Sequence, residues 1–361
     1  MLTGGKLLGT GVYGCVYVPP LECAPRTSIS IPRNEKEGTT KKVDKLLSAN
    51  DAETEFTLAQ RIQKIPLWDH YFVVADTLCK PALVQKETEL DSCDAIPGDD
   101  ITRLRILRMN YGGEALDTYK INIHKFNFRN FVTSGLEAVS LLLLNSICHM
   151  DLHSGNALLD KDQRIKFIDW NLAIDVTTEH DPKDRLFHSY TLKLTQESPD
   201  YLLMNAKYKK RFNGDTKIPE ESKLILAMLD QKPILKKQRA VLGFTHETQL
   251  KGIQDFIRGS KAYQTGDYNA WFKSHWRMND SWAIASMIVG MISKLSLWPD
   301  YKFPPEFTGS DSLGYKVLRK MCDTNPFKRY DAVQGLAELY PENAIIATYA
   351  GAWLKSASPP A

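Results

Sequence analysis

The stretch Lys6–Pro20, "KLLGTGVYGCVYVPP", sets Gly9, Gly11 and Gly14 in a G-x-G-x-x-G spacing, with apolar residues alternating around them. Such alternation around glycines reads as a strand, a tight turn and a second strand. Glycines in the turn let backbone amides approach phosphate oxygens with no Cβ in the way. The order of elements limits which fold can hold it. A dinucleotide-binding fold needs a strand, the glycines and then a helix; here the strand-like "CVYV" follows, with Val16 two residues after Gly14. A flap over phosphates suits this order, and an ordinary glycine-containing hairpin is the competing reading.

Residues 21–41 are polar and proline-containing and read as a surface excursion. "SANDAETEFTLAQRIQKI" from Ser48 opens with capping residues, then places Phe56, Ala59 and Ile62 at helical spacing. "HYFVVADTLC" and "TRLRILRMNY" read as strands flanking a polar loop, "KETELDSCDAIPGDD". After "YGGEAL" the pattern turns helical, and "NFRNFVTSGLEAVSLLLLNSICHMD" predicts a long apolar helix ending near Asp151. "RIKFIDWNLAID" reads as a short strand and a loop. The plan is α+β: a small β-rich lobe over about 1–110 and a larger, mainly helical lobe over about 111–350. They join near Asn110–Gly113, and residues 351–361 form a tail.

Composition closes off several classes. A hydrophobic content of 43% with 25% charged residues is that of a soluble globular chain, and a net charge of +3 is too small to argue for nucleic acid by itself. Six scattered cysteines without a C-x-x-C predict reduced intracellular thiols, with neither a zinc cluster nor a disulfide frame. The N-terminus lacks a signal pattern, and "WAIASMIVGMI" from Trp282 is too short to span a bilayer and suits a buried helix. A cytoplasmic protein with no membrane insertion is expected.

Asp151 and Asn156 lie five apart in "HMDLHSGN", beyond the apolar helix. A carboxylate that accepts a proton beside a metal-ligating amide fits that spacing. Thirteen residues after Asn156 comes Asp169 in "FIDWN", placed after a strand where it could bind Mg²⁺. One such pair alone would be a capped surface turn. With the glycine flap, the ordered set makes a kit for phosphoryl transfer.

On these residues the chain resembles the eukaryotic-type Ser/Thr protein kinase superfamily over nearly its whole length. "GTGVYGCV" is similar to the glycine-rich loop, "HMDLHSGN" to the catalytic loop H-R-D-L-x-x-x-N, and "DWN" stands in the place of D-F-G. "SPDYLL" resembles the A-P-E segment with Asp200 in the Glu place, "NDSWAIASMI" the buried helix with Asp280, and "CDTNPFKRYDA" the late motif with Arg329. The opening residues and "VDKLLS" further resemble kinases encoded by large nucleocytoplasmic DNA viruses, which would put the chain in host cytoplasm or virion. The resemblance implies a two-lobed kinase fold, ATP and Mg²⁺ as cofactors, and transfer to Ser/Thr hydroxyls of a protein substrate.

The resemblance also implies site residues. Asp151 would be the base, and Asn156 and Asp169 the metal ligands. Gly9, Gly11, Gly14 and Val16 would cover the nucleotide, with Met109 as gatekeeper and Asn110, Tyr111 and Gly112 offering backbone groups to adenine. For the phosphate-anchoring lysine, Lys45 has Val43 two residues before it and a helix directly after, with Lys41 and Lys42 as alternatives. For its acidic partner, Glu55 has Leu58 and Ile62 on the same helical face, with Glu53 as the alternative.

Three departures bear on activity. Met150 replaces the Arg that receives an activation-loop phosphate, so activity without loop phosphorylation is expected. His153 stands where such kinases carry Lys, as in choline- and aminoglycoside-type small-molecule kinases, and holds a phosphate only when protonated. "DWN" puts Trp170 for Phe and Asn171 for Gly; Asn tolerates left-handed backbone, and the bulkier Trp170 would hinder flipping of the segment. A small-molecule kinase and a pseudokinase scaffold are therefore the rival readings.

Between about 205 and 277 lies an insert. From Lys207 to Arg277 it carries 15 Lys or Arg against 7 Asp or Glu, interleaved with Tyr208, Phe212, Tyr263, Tyr268 and Trp271. That mixture could dock an acidic protein or nucleic acid. Helical spacing in "ESKLILAML" favours an ordered, solvated elaboration of the second lobe.

Overall fold

The computed structural model describes residues 5–11, 14–32, 41–82, 93, 100–178, 187, 191–214 and 217–356. The fold is mixed α+β and divides into two compact units. The first comprises residues 1–113 with Lys166–Asn171; the second comprises Glu114–Ile165 and residues from Leu172 onward. Lys166–Asn171, which a cut at Gly113 would leave with the second unit, thus belongs to the first.

The first unit is built on a six-stranded antiparallel sheet in the order β1-β2-β4-β6-β5-β3. Its strands are β1 (Lys6–Gly11), β2 (Gly14–Val18), β3 (Ile29–Ser30), β4 (Lys42–Ser48), β5 (Thr77–Cys79) and β6 (Leu104–Asn110). β4 is paired on both edges, and its residues Val43–Leu47 are buried without a break, as a central strand requires. In this register Val16 faces Lys45, and Lys45 faces Leu107 on β6. Gly14 is needed for the packing: a Cβ there would stand 2.2 Å from the Leu46 carbonyl oxygen. Helix α1 (Ala49–Ile62) follows β4 directly, with the Ser48 hydroxyl accepting from the Asp51 amide. Its buried face carries Ala52, Glu55, Phe56, Ala59 and Ile62, the spacing read from the sequence.

Two expectations for this unit need correction. Cys15 is bonded to Cys93 and Cys23 to Cys79, so four of the six cysteines are paired; Cys148 and Cys322 are free and buried. Sequence separations of 78 and 56 leave no local pattern to announce these bonds. "HYFVVADTLC" is not one strand. Helix α2 (Trp68–Tyr71) ends within it, Phe72 makes an isolated bridge to Phe167, and only Thr77–Cys79 joins the main sheet. The excursion after residue 20 also returns to the sheet edge, where Ile29 and Ser30 pair with β5. Of the polar loop "KETELDSCDAIPGDD", only Cys93 and Asp100 lie among the described residues.

The second unit is mainly helical. Strand β7 (Glu114–Ala115) pairs with β9 (Ala157–Leu159), and β8 (Ile147–Cys148) with β11 (Ile174–Asp175); β10 (Ile165–Phe167) starts at the last residue of the Glu114–Ile165 segment and continues into Lys166–Asn171 of the first unit. Helix α3 (Phe128–Leu144), capped by Asn127, is the long apolar helix expected but stops short of Asp151, because Ile147–Cys148 at the end of the expected span forms β8. Beyond α4 (Pro199–Asn213) the insert forms α5 (Glu221–Gln231), α6 (Pro233–Leu242), α7 (His246–Gly259) and α8 (Lys261–Thr265). Helix α9 (Tyr268–Leu295) contains "WAIASMIVGMI", with Trp282, Ile284, Ile288 and Ile292 buried. Among the described residues no helix is long and apolar enough to cross a membrane.

Four of the five aromatic residues read as able to dock a partner are not available for it. Tyr208, Tyr263, Tyr268 and Trp271 are all buried, and the Phe212 side chain lies outside the described ones. Phe187 sits among Tyr201, Tyr208, Tyr268 and Trp271 in an aromatic cluster. Rings used for packing cannot stack on bases.

Candidate active site

In the first unit, the register of β4 turns Lys45 toward α1. Its Nζ donates to Glu55 Oε2 at 2.7 Å and to Asp169 Oδ1 at 2.9 Å. Glu55 is 3% exposed, Lys45 is buried, and the Asp169 side chain is 29% exposed. Burial works against the Lys45 charge, but two carboxylates on one ammonium outweigh it and hold the group above the usual lysine range. Burial lifts Glu55 above the ordinary carboxylate range, with Lys45 opposing. The alternatives lie elsewhere: Lys42 pairs with Asp76 at 2.6 Å, Lys41 sits over the Tyr111 ring, and Glu53 is exposed.

Asp169 has a left-handed backbone, φ 66°, whereas the sequence reading gave that role to Asn171. Asn171 instead donates its side-chain amide to Asp169 Oδ1 at 3.2 Å. Lys45 and Asn171 thus converge on one oxygen of Asp169, and Oδ2 accepts no hydrogen bond among the described residues. Next to it Trp170 is buried, donates Nε1–H to the Val73 carbonyl at 2.9 Å, and meets Phe72 edge-on at 5.5 Å. That anchoring gives the bulky ring a reason to be there.

The remaining predicted residues of this unit are spread along the sheet. Gly9 has open space where a Cβ would stand, and the tip of the turn, Val12 and Tyr13, lies outside the described residues. Val16 is half-buried, Met109 is buried opposite Val43, and Asn110 closes β6 opposite Lys42. Tyr111 is exposed, with its amide bonded to the Lys41 carbonyl, and Gly112 is half-buried.

In the second unit, the loop after β8 is held from α9. Asp280 is buried and accepts the amides of His149 at 2.5 Å and Met150 at 2.9 Å. Those two bonds fix a chain reversal at Met150, whose φ is 66°. Asp151 follows. Its Oδ2 accepts from Asn156 Nδ2 at 3.1 Å, its Oδ1 accepts from Gln196 Nε2 at 2.9 Å, and His153 Nε2 lies 3.6 Å from Oδ2. Burial pushes the Asp151 carboxyl up, but the hydrogen bond and charge of His153, with help from His149 and Gln196, hold it below the ordinary range. A carboxylate ionised at neutral pH is the form a proton acceptor needs. Asn156 also donates to the Asp151 carbonyl at 3.0 Å, and both of those bonds leave from Nδ2. Its Oδ1 therefore remains an acceptor.

Asp200 at the start of α4 meets Arg329 at 2.8 Å, with neither side chain exposed, and Arg329 lies over the Trp282 ring. Gln196 carried no sequence signal, because its role depends on how the segment before α4 returns to Asp151. Among the described residues no three His, Cys, Asp or Glu cluster as a metal cage. Compared with models of known protein families, the chain matches none.

Proposed function

We propose that the chain is a two-lobed, protein kinase-like phosphotransferase that uses ATP and Mg²⁺ to phosphorylate Ser/Thr hydroxyls of protein substrates. The observation that carries this reading is Lys45 bridging Glu55 and Asp169 from residues 10 and 124 positions away. A buried ammonium held by two carboxylates keeps its charge and its position, as an anchor for α- and β-phosphates must. The donor set suits Mg²⁺, which takes one or two protein oxygens and fills its shell with water and phosphate oxygens. Each unit offers one such oxygen, Asp169 Oδ2 in the first and Asn156 Oδ1 in the second.

Bound MgATP supplies the transferable γ-phosphoryl group and the cation that screens its charge. Asp151 orients the acceptor hydroxyl and accepts its proton, and Asn156 and Gln196 set the plane of that carboxylate. His153 beside it assists the developing negative charge when protonated. Gly9 and Gly11 leave room for the phosphates to approach the backbone.

The test is transfer of radiolabelled phosphate from ATP with Mg²⁺ to the protein itself, a generic protein and small alcohols. Asp151→Asn is expected to lower transfer by about 10²–10⁴-fold. Equal labelling by wild type and mutant would remove Asp151 from the reaction. Label on small alcohols alone would shift the reading to a small-molecule kinase.

A further inference from the structure

Three consecutive residues before α4 are tied down by three different parts of the second unit. The Leu194 carbonyl accepts from Lys232 Nζ at 2.5 Å, and the Thr195 carbonyl accepts from Trp282 Nε1 at 3.2 Å. Gln196 then reaches Asp151. Trp282 belongs to α9, but Lys232 sits at the junction of α5 and α6, inside the basic insert. Lys232 is 0% exposed, in contrast to the solvated lysines around it. Taking an ammonium out of water costs several kcal/mol unless it gains partners, so a lysine buried here needs a structural reason.

The surroundings of Lys232 fit such a reason. Glu197, next to Gln196, presents a buried Oε2 with no hydrogen-bond partner among the described residues. Burial pushes Lys232 down and Glu197 up, each charge resists the other's shift, and the Asp151 charge adds to the rise of Glu197. With no exposed surface and its Nζ on the Leu194 carbonyl, the ammonium is sunk into the segment it holds.

We infer that Lys232 is a positioning residue for the reaction: by holding the Leu194 carbonyl it fixes Gln196 against Asp151 and so sets the orientation of that carboxylate. This rests on the phosphoryl-transfer reading of Asp151. The insert then works as an internal brace for residues 194–197. A cation built into the chain holds the segment, so no phosphate has to be added to order it.

Lys232→Met removes the donor and keeps the length of the side chain. In the full-length chain, kcat is expected to fall about tenfold or more, as small misplacements of catalytic groups do. The KM for ATP should stay within about twofold, because uniform binding is untouched. In an Asp151→Asn background the same substitution should change residual transfer very little, since no carboxylate is left to orient. Lys232→Arg, which keeps a donor, should recover part of the kcat loss. If Lys232→Met fails to fold, Gln196→Ala interrupts the other end of the relay and should show the same kcat loss and the same silence beside Asp151→Asn. Wild-type kcat in either variant, or equal losses in both backgrounds, would overturn the inference and leave the phosphoryl-transfer reading standing. A wild-type chain that transfers no phosphate would overturn both.

Discussion

The two crosslinks of the first unit should dominate its stability. Cys15–Cys93 closes a loop of 78 residues, and Cys23–Cys79, nested inside it, closes 56. Chain entropy makes a 78-residue closure worth about 4.5 kcal/mol at 25 °C. The inner bond forms within a ring already closed, so it adds less than the about 4 kcal/mol of a lone 56-residue loop. Together they are expected to contribute about 5–8 kcal/mol, comparable with the whole stability of a typical domain, about 5–15 kcal/mol. Urea unfolding with and without reductant measures this. At a slope of about 1–3 kcal/mol per molar urea, the reduced first unit should unfold at least about 2 M earlier or not fold at all. Thiol titration of the denatured, unreduced chain should find two free groups, Cys148 and Cys322. Six titrating thiols, or superimposable curves with and without reductant, would refute the reasoning.

Arg329→Met leaves the fully buried Asp200 without its cation and is expected to cost about 3–5 kcal/mol, whereas adding Asp200→Leu should restore most of it. Thermal melts of the three variants would show this, and a single variant as stable as wild type would contradict the pairing. The same pair sets a pH dependence. Burial raises the Asp200 carboxyl, but Arg329 and His275 more than reverse this, so its folded value lies below the ordinary 3.8. Its stabilisation is complete above about pH 4 and is lost as the pH falls through the folded value. The margin of wild type over the Asp200→Leu/Arg329→Met pair should shrink between pH 6 and pH 2.5, and a constant margin would contradict it. On the proposed phosphotransferase reading, in which Met150 takes the place of the phosphate-receiving arginine, phosphatase treatment should leave transfer intact, and its abolition would restore a loop switch.

Much of this was legible because local chemistry and tertiary structure agree. Ser48 caps α1 and its apolar spacing is the buried face, so helix and core could be read together. The run around Trp282 is buried as its composition demands. Lys45 and Glu55 could be ranked above their neighbours because the resemblance says what to look for, Val43 two residues before the lysine and Leu58 and Ile62 on the helical face of the glutamate, and the structure brings those two together with Asp169. The disulfides were not legible, because pairing over 56 and 78 residues depends on the sheet that brings Cys23 to β5 and Cys15 to residue 93. The insert's aromatics looked like a binding surface because residue type gives no direction; only the packing of α4 to α9 shows that Tyr208, Tyr263, Tyr268 and Trp271 point inward. The left-handed residue in "DWN" was misplaced for a related reason: tolerance of a conformation does not say which residue of the segment adopts it.

Lys166–Asn171 has a consequence for how the chain could be taken apart. These six residues leave the second unit, complete the first and return. Within the first unit Phe167 accepts the Val73 amide at 2.9 Å, Trp170 fills the space beside Phe72, and Asp169 gives Lys45 its second carboxylate. A gene fragment ending at Gly113 would therefore encode the sheet and both crosslinks but lack a supporting strand residue, a core indole and half of the charge around its central lysine. The units are compact in space yet inseparable in the polypeptide. Shuffling one of them between related chains would have to carry this hexapeptide as a second, distant piece, so exchange by a single crossover is closed to this architecture.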